Sequence, residues 1–299
     1  MARERTTGST VALEPPRPVR FEQRRGSSVV VKSYPGTDGA PVHQAMANLW
    51  ASPLGRDRVG GPGMPEPLGF DGRSGELTTS WVPGTRLGER GRVGGGVSRA
   101  VEVGILLADL HGSGVVVGRV RDRQAIARSV ARKVADVATD PTTSSVVLDA
   151  FLEASLAVDR AWAEDDTARR HVLSHGDLSP HHVVVSASGL VLIDFDRLQL
   201  AEPERDLASW AAWMWVTGGA RGELDTTALL GDLVCGYAAR ARRAPADRAA
   251  LEVHLAANLV RIVHGWPALR HDTPTLLRVL RRATALADRH PTRRVDLAS

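Results

Sequence analysis

Apolar and polar positions follow two different periods along this chain, and the change falls near Pro83-Gly84. Before it, short β-branched or alternating runs at 19–24, 28–34, 66–70 and 76–84 read as strands. One helical stretch interrupts them at 41–50, where Ala45, Met46, Leu49 and Trp50 recur at helical spacing. A Gly/Pro-rich loop, 51–67, follows it. After the change the helical period dominates. Val101, Ile105, Ala108 and Leu110 mark a helix over 101–111, stopped by Gly112 and Gly114. Further helical patterns cover 121–139 and 145–168, broken at Asp140-Pro141. Later, 207–216 is helical and carries Trp210, Trp213 and Trp215, of which Trp210 and Trp213 share a face that suits core packing. Thr273-Pro274 open the last helix as N-cap and first-turn Pro.

One β-like interval interrupts the helical part. Residues 183–185 and 190–193 flank Ser186-Ala187-Ser188-Gly189, which reads as a hairpin. If 185 and 190 close the turn, His182 faces Ile193, beside Asp194, at the open end. Asp177 enters the same end from a loop, so the hairpin gathers two carboxylates and an imidazole at one spot. One carboxylate can accept the proton of an attacking alcohol. The other can hold Mg²⁺, which is usually bound by one or two carboxylates plus substrate phosphates.

The stretch His175-Gly176-Asp177-Leu178-Ser179-Pro180-His181-His182, followed by Ile193-Asp194-Phe195-Asp196, resembles the aminoglycoside phosphotransferase and choline kinase-like family. The resemblance covers roughly residues 19–240. It implies an α+β, two-lobed protein-kinase-like fold: a flexible tail at 1–17, a small β-rich nucleotide-binding lobe at 18–82, and a larger, mainly helical catalytic and acceptor-binding lobe at 83–299. It implies Asp177 as the catalytic base with His175 beside it, and Asp194, His182 and Asp196 as the metal set. Lys32, ending the Val29-Val30-Val31 run, is similar to the strand lysine that reaches nucleotide phosphates. It is one of only two lysines, with Lys133, in an Arg-rich chain, which hints that an ammonium is required there. Thr79, Trp81 and Val82 resemble the hinge that meets the adenine edge, and Gln44 stands nearest the usual partner of the lysine. Pro203-Glu204-Arg205-Asp206 resembles a family segment whose Asp caps a helix and braces the catalytic loop.

Three positions depart from the family pattern. His182 stands where the family has Asn, and an imidazole suits Zn²⁺ or Mn²⁺ better than Mg²⁺. Gln44 stands where the family has Glu. The candidate phosphate loop, 14–18, is Pro-rich and short of amide donors, behind a tail with an edge strand at 10–13. The implied activity is transfer of the γ-phosphoryl of ATP, or alternatively GTP, to a small-molecule hydroxyl, with Mg²⁺ or Mn²⁺. A degenerate pseudokinase that binds nucleotide or a partner without turnover is the first rival reading, and a nucleic-acid-binding protein using its Arg surface is the second, weaker one.

Composition narrows the partners. The chain has 299 residues, 43% hydrophobic and 24% charged, ordinary for a globular protein with a real core. The single Cys235 rules out a disulfide framework and fits a reducing cytoplasm. No signal peptide is visible, and the longest apolar run, 207–216, is about half a membrane span. A net charge of +4 raises the possibility of nucleic acid, but the Arg residues are scattered without interleaved aromatics, so no nucleic-acid partner is expected. Residues 238–299 hold 12 Arg against 5 Asp and Glu, which argues against a polycationic acceptor and suits a neutral or anionic one. His264 and Trp266 are candidates for its lining. A monomer or a dimer is expected.

Overall fold

The structure is a computed structural model that describes residues 18–24, 26–34, 39–88, 99–163, 165, 170–219, 226–241, 248–265 and 272–289. The tail at 1–17, its edge strand, most of the Pro-rich loop and Trp266 lie outside the described residues.

The first part of the chain forms a four-stranded antiparallel sheet in the order β1-β2-β4-β3. Its strands are β1 (Val19–Arg24), β2 (Ser27–Ser33), β3 (Pro67–Asp71) and β4 (Glu76–Ser80). Strand alternation decides what each face does. On β2, Val29 and Val31 turn into the core, so Val30 and Lys32 face the other way. The register pairs Phe21 with Val30 and Val30 with Thr79, which carries that second face across three strands. Helix α1 (Gly39–Trp50) packs on β3 and β4 through Ala45, Met46 and Leu49, starting two residues before the sequence pattern suggests.

The remainder is mainly helical. It holds α2 (Ala100–His111), α3 (Arg123–Thr139), α4 (Ser145–Ala163), α5 (Glu204–Met214), α6 (Thr226–Arg240), α7 (Arg248–Gly265) and α8 (Thr273–Ala287). A π-turn, Trp215–Gly219, extends α5. Asp122 caps α3 by accepting from the Ala125 amide. The last helix is capped by Asp272, whose side chain accepts from Thr275 N at 3.1 Å. The cap is thus one residue before Thr273, leaving Pro274 in the first turn, where its missing N–H costs nothing. Trp210 is wholly buried, as its shared face with Trp213 suggests.

Short strands thread the helical part: β5 (Thr85–Arg86), β6 (Val172–Ser174), β7 (Val183–Ser186), β8 (Gly189–Leu192) and β9 (Gln199–Ala201). The expected hairpin is β7–β8, with Val185 opposite Leu190 and Val183 opposite Leu192. One further bond, Ile193 N to His182 O at 2.9 Å, seats residue 182 against 193. β5 pairs with β7, so the chain joins the helical part directly after Gly84. One continuous apolar cluster runs from Tyr34 and Leu49 beside the sheet through Leu107, Phe151 and Trp210 to Leu286 in α8. Among the described residues no helix is long and apolar enough to cross a membrane.

Candidate active site

The catalytic-loop candidate leaves β6 at Ser174 and turns at Gly176. Gly176 has φ +83, and a Cβ there would lie 2.1 Å from the Arg197 carbonyl oxygen, so only glycine fits. Asp206, in the first turn of α5, is wholly buried beneath this turn. It accepts from His175 N at 2.6 Å and Gly176 N at 3.2 Å, and its Oδ2 meets His111 Nε2 at 3.2 Å. Asp206 therefore braces the loop as expected, but it does not cap its own helix, because both oxygens are committed elsewhere. Burial opposes its ionisation, yet the His111 hydrogen bond and the nearby Arg205 outweigh burial and hold the carboxyl well below the usual range.

His175, expected among the catalytic groups, is turned inward. Its ring is fully buried and donates from Nε2 to the Ile193 carbonyl at 3.0 Å. That bond ties the loop to the strand end that carries Asp194, and it leaves the ring no path to a substrate.

Asp194 leaves β8 with φ +68, the only non-glycine residue at positive φ among the described residues. Backbone of this kind costs about 1–3 kcal/mol and persists where surroundings over-determine it. The surroundings here are electrostatic. Lys32 Nζ lies 2.7 Å from Asp194 Oδ1 and 2.5 Å from Asp196 Oδ2. Tyr34 Oη donates to Asp196 Oδ1. Burial works against the charge on Asp194, but Lys32 prevails and the carboxyl is held below its ordinary range.

His182 links the two acids. Its Nδ1 donates to the Asp177 carbonyl at 2.7 Å, and its Nε2 lies 3.5 Å from Asp194 Oδ2. Burial, then the neighbouring His175, lowers its proton affinity. The neutral ring so oriented aims a bare Nε2 at a carboxylate oxygen. Two acceptors facing each other mark a position for a cation. The Asp177 carboxylate is half-exposed and lies 3.7 Å from Arg197 Nε.

Above these groups lies a cleft of about 250 Å³ between the four-stranded sheet and the β7–β8 hairpin. Its roof is the outward stripe of the sheet: Phe21, Val30, Lys32, Leu77, Thr79 and Trp81; its floor is His182, Val184, Ile193, Asp194 and Asp196. Thr79, Trp81 and Val82 line it. The Trp81 amide is already bonded to Ser28 O at 3.0 Å, so Trp81 contributes its ring, set edge-on to Phe21 at 5.0 Å. Gln44 is not brought to the site. It is exposed and donates to Asn48 at 3.1 Å, one turn along α1, while Lys32 takes its counter-charge from the two aspartates instead. Tyr34, Phe21 and Arg86 line the cleft without having been singled out. The signal for Tyr34 was strand alternation alone, since it stands two residues beyond Lys32.

Among the described residues no group of three or more His, Cys, Asp or Glu side chains could hold a metal by itself. Mg²⁺ does not require one, because it keeps several waters and takes substrate phosphates as ligands. Two carboxylates that share one ammonium, faced by a bare imidazole nitrogen, fit such an ion.

The model of the phosphotransferase enzyme family matches residues 17–246. No curated protein matches the chain. Solved structures share its fold at low identity. A choline/ethanolamine kinase family protein from Mesorhizobium loti is 16% identical, with TM-score 0.61, over 90% of this chain and 92% of its own. A spectinomycin phosphotransferase, solved with ADP and spectinomycin, is 11% identical, with TM-score 0.58, over 95% and 92%. The aminoglycoside 2'-phosphotransferase-IIIa, solved with GDP, is 16% identical, with TM-score 0.55, over 91% and 91%. With the family model spanning most of its length, and with Lys32, His182 and Asp194 meeting at one cleft, this chain belongs to the phosphotransferase enzyme family and has the protein-kinase-like fold.

Proposed function

We propose that this protein is a small-molecule kinase that transfers the γ-phosphoryl group of ATP to a hydroxyl of a neutral or anionic metabolite or sugar. One observation carries the reading: the His182 ring joins the loop bearing Asp177 to the Asp194 carboxylate, which meets Lys32 in the cleft between the sheet and the hairpin. The apolar roof at Phe21, Val30 and Trp81 suits a purine. Asp177 orients the acceptor hydroxyl and takes its proton as the oxygen attacks the γ-phosphorus and ADP departs. Lys32 moves from the aspartates to the phosphates when nucleotide enters. Asp194 and Asp196, with His182 Nε2, would hold Mg²⁺ or Mn²⁺, which neutralises charge developing on the phosphates. His175 and Asp206 keep the loop in register. Related folds were solved with ADP in one case and GDP in another, so GTP is the alternative donor.

A panel of hydroxylated metabolites scored by ADP release, with Mg²⁺ and with Mn²⁺, tests this. Asp177→Ala should lower the rate at least about a hundredfold. Equal rates for the two proteins would replace the reading with nucleotide binding without turnover.

A further inference from the structure

Asp194 and Asp196 divide their oxygens among different partners. Asp196 gives Oδ1 to Tyr34 Oη and Oδ2 to Lys32 Nζ. Asp194 gives Oδ1 to Lys32 Nζ at 2.7 Å. Its Oδ2 faces His182 Nε2 across 3.5 Å. That gap is longer than a good N–H···O hydrogen bond, which spans about 2.7–3.2 Å. It matches the span of two ligands on one ion, because bonds of about 2.0–2.2 Å to a nitrogen and an oxygen leave those atoms about 2.8–3.6 Å apart.

The ring is held for this task. Its Nδ1 lies 2.7 Å from the Asp177 carbonyl oxygen, which can only accept, so Nδ1 is the donor and Nε2 is the nitrogen presented to Asp194. Metal-bound histidines are oriented in this way, with the second ring nitrogen donating to a carbonyl or a carboxylate. The His175 ring lies against the His182 ring, with 5.6 Å between centroids and 21° between planes. Backbone bonds fix the base of the side chain: His182 N donates to Ser179 O at 3.0 Å, and Ile193 N donates to His182 O at 2.9 Å. Two protein donors are no closed cage, and no group of three His, Cys, Asp or Glu forms one among the described residues. The rest of the shell therefore falls to phosphate oxygens and water.

One nitrogen in such a shell decides which ion is favoured. Mg²⁺ takes oxygen donors and keeps its waters. Imidazole favours first-row transition ions, and among these Mn²⁺ also accepts the carboxylate, phosphate and water oxygens that make up the remainder. We propose that this cleft takes Mn²⁺ in preference to Mg²⁺, bound through His182 Nε2 and Asp194 Oδ2 together, and that His182 is the residue that sets the preference. The inference rests on the phosphotransferase reading for the nucleotide phosphates that complete the shell, while the bond from the ring nitrogen is independent of turnover.

Two measurements on the full chain with ADP test it. Electron spin echo spectra of bound Mn²⁺ are recorded on protein carrying ordinary and ¹⁵N-labelled histidine. A nitrogen modulation that changes with the label is expected; a spectrum indifferent to the label overturns the proposal, and this test needs no variant. Displacement of Mn²⁺ by Mg²⁺ is then followed by paramagnetic resonance, allowing for the ion held by free ADP. Wild type is compared with His182→Asn, whose amide can still donate to the Asp177 carbonyl but offers the ion an oxygen. The preference for Mn²⁺ over Mg²⁺ should fall at least about tenfold in the variant. An equal preference in the two proteins overturns the role of His182, and His182→Gln repeats the comparison if His182→Asn does not fold. Failure of the phosphotransferase reading looks different: no Asp177-dependent ADP release from any hydroxyl compound with either ion, while the histidine label still alters the Mn²⁺ spectrum. Asp177-dependent release with a spectrum indifferent to the label leaves that reading standing and removes this inference alone.

Discussion

Asp206 concentrates several demands on a single side chain. It is wholly buried, accepts from the backbone amides of His175 and Gly176 and meets His111, whose other nitrogen lies 3.0 Å from Tyr237 Oη. Removing the charge leaves donors aimed at a weaker acceptor, so Asp206→Asn should cost about 3 kcal/mol or more in urea unfolding. The pH dependence follows in sign. The folded-state pKa of Asp206 is depressed, so its contribution is complete above the unfolded value near about 4 and is lost as pH falls below it. Glu202 behaves alike: burial opposes its charge, but His254 and Arg123 prevail and hold it low. Acid unfolding followed by circular dichroism should steepen below pH of about 4, and Asp206→Asn should flatten that limb.

At the level of elements, α2 and α6 approach so closely that their backbones nearly touch. A Cβ on Gly236 would lie 2.0 Å from Val101 O, and one on Gly104 would lie 2.2 Å from Leu233 O. The contact matters for the site because α2 ends in His111, the partner of Asp206. Gly236→Ala should therefore destabilise by about 2 kcal/mol or more, since backbone cannot yield as a flexible side chain does. On the same helix Gly231 is exposed and a Cβ there meets nothing within 4 Å. Gly231→Ala should stabilise by about 0.4–1 kcal/mol by restricting the unfolded chain. Opposite signs from two Gly→Ala changes five residues apart, measured in urea, test the helix pairing apart from helix propensity.

For the whole molecule, the cleft has walls from both the sheet and the hairpin, so a ligand there binds only the assembled fold. ADP with Mg²⁺ at about 100 times its Kd should add about 2.7 kcal/mol. For a chain of this size that is a rise of about 4 °C in Tm. Lys32→Ala should reduce the shift at equal ligand concentration, because the ammonium that bonds Asp194 and Asp196 is then absent from the phosphates. A scanning measurement with no shift for the wild type at millimolar ADP would remove the nucleotide reading of this cleft.

The hairpin register, the strand lysine and the order of Asp177, His182 and Asp194 were all readable along the chain. Period-two alternation and a Gly-containing turn specify pairing between neighbours, so Val185 opposite Leu190 needs no distant contact. The family resemblance rested on the same short spacings. Other features depended on residues brought together from far apart. Lys32 bonds Asp194 across 162 positions, leaving Gln44 to Asn48, and Asp206 reaches back to His175 rather than capping its helix. The inward turn of the His175 ring is of the same kind. Local periodicity encodes which elements form, because side chains a few residues apart decide it. The partner a charge meets is set only when those elements pack, since a buried carboxylate or guanidinium takes whichever counter-charge the assembled core puts within reach.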